Sequence, residues 1–339
     1  MTDLAQIAQK LVSPTKGIFA ADWSEGTATK HFEKNGIEST AEERRKYRQM
    51  LFTTPDLEKY ISGVILHDET ANQKADDGTL FPDLLEKRGI LPGVRVDEGY
   101  EELKSSPKEK ITKGMESLEE RLKKYSKLGL KFAKWRGTFL IDEVRPSKEA
   151  IEKNTDFLVE YALICQRNGF VPIVEPEVLL DGSYTTAKSE AVTTEVLKTT
   201  FAKLKEKGID LKGMILKPNV VSPGRDNLAK ASKKEIAGAT LRTLKNSVPE
   251  DVPGIAFLSG GQTPIHSTEN LNEINKIAEN LPWELTFSYA RALQYPAIEV
   301  YKGKKENIEK AQKALLHRAK MNSLARQGKY DAKMEKEYG

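Results

Sequence analysis

Eight short apolar runs punctuate the chain, at residues 17–22, 62–67, 91–96, 130–136, 170–177, 212–218, 254–261 and 283–289. They are rich in Val, Ile, Leu and Phe and mostly continuous rather than alternating, as strands covered on both faces are. Charged segments with helical spacing separate them. Between 151 and 165, Phe157, Leu158, Tyr161, Ala162 and Cys165 recur three or four residues apart, which marks one face of a helix. Residues 192–204 form a second such segment. Strands alternating with amphipathic helices predict an α/β protein with a parallel sheet. Eight units over about 270 residues fit a (β/α)8 TIM barrel. A doubly wound open sheet is the other arrangement of such elements, but it normally brings a GxGxxG turn after the first strand, and none is present. The segment after Asp22 predicts extra N-terminal helices. Residues 98–113 are polar and read as a loop leading into a helix. A last helix is expected near 304–325, so one barrel domain would span 1–325 and a flexible tail 326–339.

Composition narrows the partners. No run of about 18 apolar residues exists, so no membrane span is expected. The first twenty residues contain Asp3, Lys10 and Lys16 and no long apolar core, so we expect no secretory leader and a cytoplasmic location. The single cysteine, Cys165, leaves no internal disulfide. The four histidines, His31, His67, His266 and His317, include no pair at metal-ligand spacing, so no His-rich metal centre is expected. The net charge of +4 is concentrated at the end, where residues 301–339 carry eleven Lys/Arg and five Asp/Glu. No Arg-rich, aromatic-interleaved signature accompanies it, so no nucleic-acid partner is expected. The basic end reads as a solvated helix end and mobile segment, or as an arm attracting anionic ligands.

In a barrel, functional groups project from the C-terminal ends of strands. Here those ends offer Asp22, His67 and Glu69, Arg95, Lys134 and Arg136, Glu175 and Glu177, Lys217, Ser259 with Gly260 and Gly261, then Ser288, Tyr289 and Arg291. Buried charge is costly unless paired, so this gathering points to a site for a charged substrate. Lys217 follows Gly213-Met214-Ile215-Leu216 and precedes Pro218, which biases it to extended backbone at a strand end. An amine in an apolar wall is poorly solvated when charged, which favours the neutral nucleophile. Lys134, two strands away, would act on it in the same sense. Glu175 and Glu177 stand two apart and share one strand face. With Lys134 and Lys217 on the neighbouring strands as counter-charges, they fit either an acid/base pair or a salt-bridge layer closing the mouth. Ser259-Gly260-Gly261, with Arg291 after the eighth run, has the makings of a phosphate site. Ser24 and Thr27, with Arg95 at the third strand end, could cap a helix, bind a second anion, or do both.

The runs KGIFAADWSEGT, RRKYRQMLFTT, QKADDGTLFP, KFAKWR, NGFVPIVEPEVLLDG, LKPNVVSPG, FLSGGQ, LTFSYARALQ, KKENIEKAQ and NSLARQGKY together resemble class I fructose-bisphosphate aldolase over residues 4–330. The resemblance implies a (β/α)8 barrel with no metal or other cofactor, a phosphorylated sugar substrate and a homotetramer. It implies reversible cleavage of fructose 1,6-bisphosphate to dihydroxyacetone phosphate and glyceraldehyde 3-phosphate. By motif, Lys217 matches the Schiff-base lysine and Glu175 the acid/base for carbinolamine steps, with Glu177 and Lys134 beside them. Asp22 matches the carboxylate that assists loss of the C4 hydroxyl proton, and Arg136 the arginine of the FAKWR motif. Ser259, Gly260, Ser288, Ala290 and Arg291 fall around the ketose phosphate. Ser24, Thr27 and Arg95 fall at the other phosphate, and Tyr338 near the tail tyrosine. Arg95 stands where lysine is common, His31 where arginine is common, Trp23 where an acid is common and Ala290 where a glycine is common. A preference shifted towards fructose 1-phosphate, or a weakly catalytic barrel serving as a binding scaffold, stays open on these departures.

Overall fold

The computed structural model describes residues 3–338, with the side chains of Glu337 and Tyr338 excepted. Ten strands form: β1 (Gly17–Ala21), β2 (Ile61–Leu66), β3 (Leu91–Arg95), β4 (Tyr100–Leu103), β5 (Ser106–Thr112), β6 (Phe132–Phe139), β7 (Val171–Val178), β8 (Ile215–Leu216), β9 (Gly254–Phe257) and β10 (Glu284–Tyr289). Eight of them close an all-parallel barrel in the order β1-β10-β9-β8-β7-β6-β3-β2, and these coincide with the eight apolar runs. The extra helices after β1 are Glu25–Lys34 and Ala41–Phe52. No helix among the described residues is long and apolar enough to cross a membrane.

Strand periodicity sorts the side chains. Phe19, Ala133, Trp135, Val174, Leu216 and Phe257 face outward into the layer shared with the helices. Ile18, Ala20, Ile65, Phe132, Val171, Ile173, Ile215 and Ala256 face inward. The helix Leu4–Leu11 plugs the bottom of this inner layer with Ala8 and Leu11, both fully buried. Gly63 and Gly254 leave it room, since a Cβ on either would fall 2.6 Å from Leu11 and 2.5 Å from Val12 respectively. Arg326, the last residue of the helix Ile308–Arg326, is built into the same floor. Its guanidinium donates to the carbonyls of Val12, Ser13 and Lys16 and pairs with Glu284. Residue 326, assigned to the tail by sequence, is thus integral to the barrel.

Residues 98–113 differ from the loop and helix expected of them. β4 and β5 form an antiparallel hairpin. Glu109 and Ile111 point in and Lys108 and Lys110 point out, a period of two that is short and masked by charge. The buried Glu109 accepts from the Ser147 N–H, docking the hairpin against the start of the helix Lys148–Arg167.

Candidate active site

The charged layer lies one step above the inner apolar layer. Ile18 and Ala20 lead to Asp22, Phe132 to Lys134, Ile173 to Glu175 and Ile215 to Lys217, always two residues on. Cα register sets Lys134 beside Arg95 and Ile173, and Arg136 beside Glu175. Lys217 continues the β8 ladder by donating its N–H to Val174 O at 2.8 Å. The side chains of Asp22, Lys134, Glu175 and Lys217 therefore converge on the barrel axis although they arise 195 residues apart in sequence at the extremes.

A cavity of about 630 Å³ opens there. It is lined by Asp22, Ser24, Thr27, Arg95, Lys134, Arg136, Glu175, Glu177, Lys217, Ser259, Gly260, Ser288, Ala290 and Arg291, so the strand-end candidates meet at one mouth. Gly261 sits just off this lining, next to Gly260, and four further assigned positions do not join it. His67 lines an adjoining cleft that shares Ser24 and Arg95 with the main cavity. Glu69 is held by Arg44 and Arg48, tying the helix Ala41–Phe52 to the end of β2. Tyr289 is buried and donates to Ser267 O. The side chain of Tyr338 lies outside the described residues.

Cations and carboxylates alternate at the centre. Lys217 Nζ is 3.0 Å from Glu175 Oε1, and Lys134 Nζ is 3.3 Å from Glu175 Oε2. Lys134 Nζ is also 2.9 Å from Asp22 and 3.7 Å from Asp97. Arg136 pairs with Glu177 and lies over the Tyr100 ring of the hairpin. Sequence spacing made Lys134 and Lys217 the counter-charges of the acidic pair. Glu175 does bridge both lysines, whereas Glu177 takes Arg136 instead. Burial alone would raise the Glu175 carboxyl, but Lys217, Lys134 and Arg136 outweigh it and hold it below the usual carboxylate range. Burial opposes Asp22 in the same way, and Lys134, Arg95 and Lys217 hold it well below that range. Burial would lower Lys134, but Asp22, Glu175 and Asp97 drive it above the usual lysine range.

Elements of the kind that suit an anion flank this centre on two sides. Gly260 and Gly261 both have positive φ, 54° and 82°, and Gln262 N–H donates to Ser259 O across them. Only glycine makes this turn without strain. Ser259 is buried beside it, and Arg291 follows β10. On the other side, Ser24 caps the helix Glu25–Lys34, accepting from Thr27 N–H at 3.4 Å. Arg95 donates to Asp22 O at 3.1 Å. Ala290 has φ −103°, so its methyl needs no left-handed backbone. The Trp23 and His31 rings pack in a tilted arrangement, 4.4 Å between centroids. Burial, then Arg291 and Lys34, lower the His31 pKa, so at neutral pH the ring adds no charge to this side.

Sequence reasoning missed Asp97, which is buried between Arg95 and Lys134. The signal was there: Arg95 and Asp97 repeat the i, i+2 spacing of Glu175 and Glu177. It also missed Arg225, Asp181 and Tyr100, which reach the cavity from loops and the hairpin.

Fold and cavity together define a (β/α)8 barrel with a buried lysine–carboxylate centre between two rims of hydroxyl, glycine and guanidinium groups, suited to a small molecule charged at both ends. The model of the family described as fructose-bisphosphate aldolase class-I matches residues 3–339. Fructose-bisphosphate aldolase 2 of Caenorhabditis elegans is 48% identical, covering 97% of this chain and 90% of that one. The cytosolic fructose-bisphosphate aldolase 4 of Arabidopsis thaliana is 46% identical, over 97% and 84%. A crystal structure of the Plasmodium falciparum fructose-bisphosphate aldolase with TRAP and a small-molecule inhibitor superposes with a TM-score of 0.95 at 45% identity, over 97% and 95% of the two chains. The chain belongs to the class I fructose-bisphosphate aldolase family.

Proposed function

We propose that this chain cleaves fructose 1,6-bisphosphate reversibly to dihydroxyacetone phosphate and glyceraldehyde 3-phosphate through an imine on Lys217. The observation that carries this reading is the 3.0 Å contact between Lys217 Nζ and Glu175. Lys217 passes a proton to Glu175 and its amine attacks the C2 carbonyl of the open-chain ketose. Transfer is favoured as the reaction proceeds, because Glu175 loses the nearest cation that kept it ionised. Glu175 then protonates the departing C2 hydroxyl, and water leaves the iminium. With the iminium as electron sink, Asp22 assists removal of the C4 hydroxyl proton. The C3–C4 electron pair moves to the enamine, and the aldehyde departs. Protonation at C3 and addition of water release dihydroxyacetone phosphate and regenerate the amine. Lys134 stays charged and steadies Asp22 and Glu175. Ser259, Gly260, Ser288, Ala290 and Arg291 hold the ketose phosphate. Ser24, Thr27 and Arg95 hold the other, fixing the reacting bond over the lysine.

Residues 1–326 would form the catalytic domain and the segment after Arg326 a tail carrying Tyr338. We place the chain in the cytoplasm as a homotetramer, on the strength of the family resemblance. Sedimentation equilibrium tests the assembly. A coupled assay that oxidises or reduces the triose products tests the reaction: turnover of fructose 1,6-bisphosphate that survives EDTA is expected, and its absence would leave a binding scaffold as the better reading.

A further inference from the structure

The turn carrying Gly260 and Gly261 is approached by two guanidinium groups, and the strand-end pattern accounts for one of them. A Cβ placed on Gly261 would lie 2.7 Å from Arg225 Nη2 and 3.6 Å from Arg291 Nη2. Arg225 comes from the segment after β8 and Arg291 from the end of β10, so they face the β9 turn from both neighbouring strands. Like charges converging on one turn repel unless an anion lies between them.

The backbone under Arg225 is fixed. Gly224 N–H donates to Tyr184 O at 2.9 Å, Arg225 N–H to Leu180 O at 2.7 Å and Asp226 N–H to Gly182 O at 2.9 Å. The two segments run so close that a Cβ on Gly224 would sit 2.2 Å from Gly182 O. The side chain is not fixed in this way. Its ion pair is with Asp181, Nη1 to Oδ1 at 3.3 Å, and both side chains are more than half exposed, at 52% and 64%. Such exposed pairs hold weakly, whereas a guanidinium meeting a phosphate forms short, charge-assisted, bidentate bonds. Arg225 already lines the cavity with Asp181.

We propose that Arg225 is a second guanidinium of the phosphate clamp at Ser259–Gly261, held in reserve by Asp181 and closing on the phosphate monoester of the bound ketose opposite Arg291. Asp181 then competes with the ligand for Arg225. The inference rests on the phosphorylated-ketose reading above. Because the group recognised is the phosphate on the ketose end, fructose 1,6-bisphosphate and fructose 1-phosphate must both sense it.

Steady-state kinetics of the full chain on both substrates test this with Arg225→Gln, Arg225→Lys, Asp181→Asn and the double variant Asp181→Asn/Arg225→Gln. Arg225→Gln should raise KM about tenfold for both substrates, with kcat within about twofold. Lysine should restore part of the affinity. Asp181→Asn should lower KM about two- to threefold, and the double variant should match Arg225→Gln. An unchanged KM in Arg225→Gln, a rise confined to the bisphosphate, or a rise in Asp181→Asn would overturn the proposal. If the wild type cleaves neither ketose, the phosphorylated-ketose reading fails by itself. Calorimetric titration with inorganic phosphate then decides: weaker binding by Arg225→Gln upholds the clamp, and equal binding overturns it.

Discussion

Glu175 lies against Lys217 at 3.0 Å, carboxylate oxygen to amine nitrogen, with both side chains 5% exposed. The second oxygen of the same carboxylate sits 3.3 Å from Lys134. One buried acid thus bridges two lysines, and the two bridges are unequal in kind. Lys134 has further acids, Asp22 and Asp97, within ion-pair range, so it can stay charged when Glu175 takes a proton. Glu175 is the ion-pair partner found for Lys217.

Glu175→Gln should therefore cut kcat by about 10²–10⁴-fold, the range for losing a positioned acid/base. KM should change much less, because the groups proposed to hold the phosphates are untouched. Stopped-flow and steady-state measurements on fructose 1,6-bisphosphate check it; a loss expressed mainly in KM would assign Glu175 to binding.

Lys134→Met should couple stability to pH in a defined direction. In the folded chain Asp22 and Glu175 are held below the ordinary carboxylate range. Their contribution to stability is therefore full above about pH 5 and is lost as pH falls through the folded-state values. Lys134 is raised on folding, so its own contribution is full below about pH 10 and is lost only at more alkaline pH. Removing this shared cation should cost about 3–5 kcal/mol at pH 7. It should also shrink the further loss between pH 7 and pH 4, since the carboxylates are then less depressed. Urea unfolding at the two pH values measures both terms.

Arg95→Ala should separate the two phosphates. Its guanidinium faces the Ser24–Thr27 rim, so KM for the bisphosphate should rise about tenfold or more while KM for fructose 1-phosphate changes little. His31→Arg should act in the opposite sense, because it replaces a ring kept neutral near pH 7 with a permanent cation. The ratio of kcat/KM for the two substrates is the readout.

Leu11→Ala tests the floor of the barrel. Leu11 is fully buried against the inner layer, and its truncation should lower stability by about 2–5 kcal/mol. The charged layer stands on the far side of that core, so kcat should stay within about twofold. Thermal unfolding and turnover of one preparation give both numbers.

The barrel and its central charges were legible in the sequence for one reason. A parallel strand buried on both faces is a continuous apolar run, and the first polar residue at its end, counted in twos from the inner face, must enter the mouth. Asp22, Lys134, Glu175 and Lys217 all obey that rule. The hairpin did not show because its inward residues, Leu103, Glu109 and Ile111, are few, include an acid, and stand amid Lys108, Lys110 and their charged neighbours. Arg225 and Asp181 reach the cavity from segments without periodicity, where only the approach of two backbones fixes the side chain's origin. The counter-charges were legible in part. The lysines of the two neighbouring strands do bracket Glu175, while the pairing of Glu177 with Arg136 of its neighbouring strand was not foreseen.

The most direct measurement is reductive trapping. The wild-type chain is incubated with dihydroxyacetone phosphate, treated with borohydride, digested and mapped by mass spectrometry. The account predicts one stable adduct on Lys217, strongly diminished in Glu175→Gln. An adduct on Lys134 or another lysine, or none at all in a chain that still cleaves the bisphosphate, would contradict it.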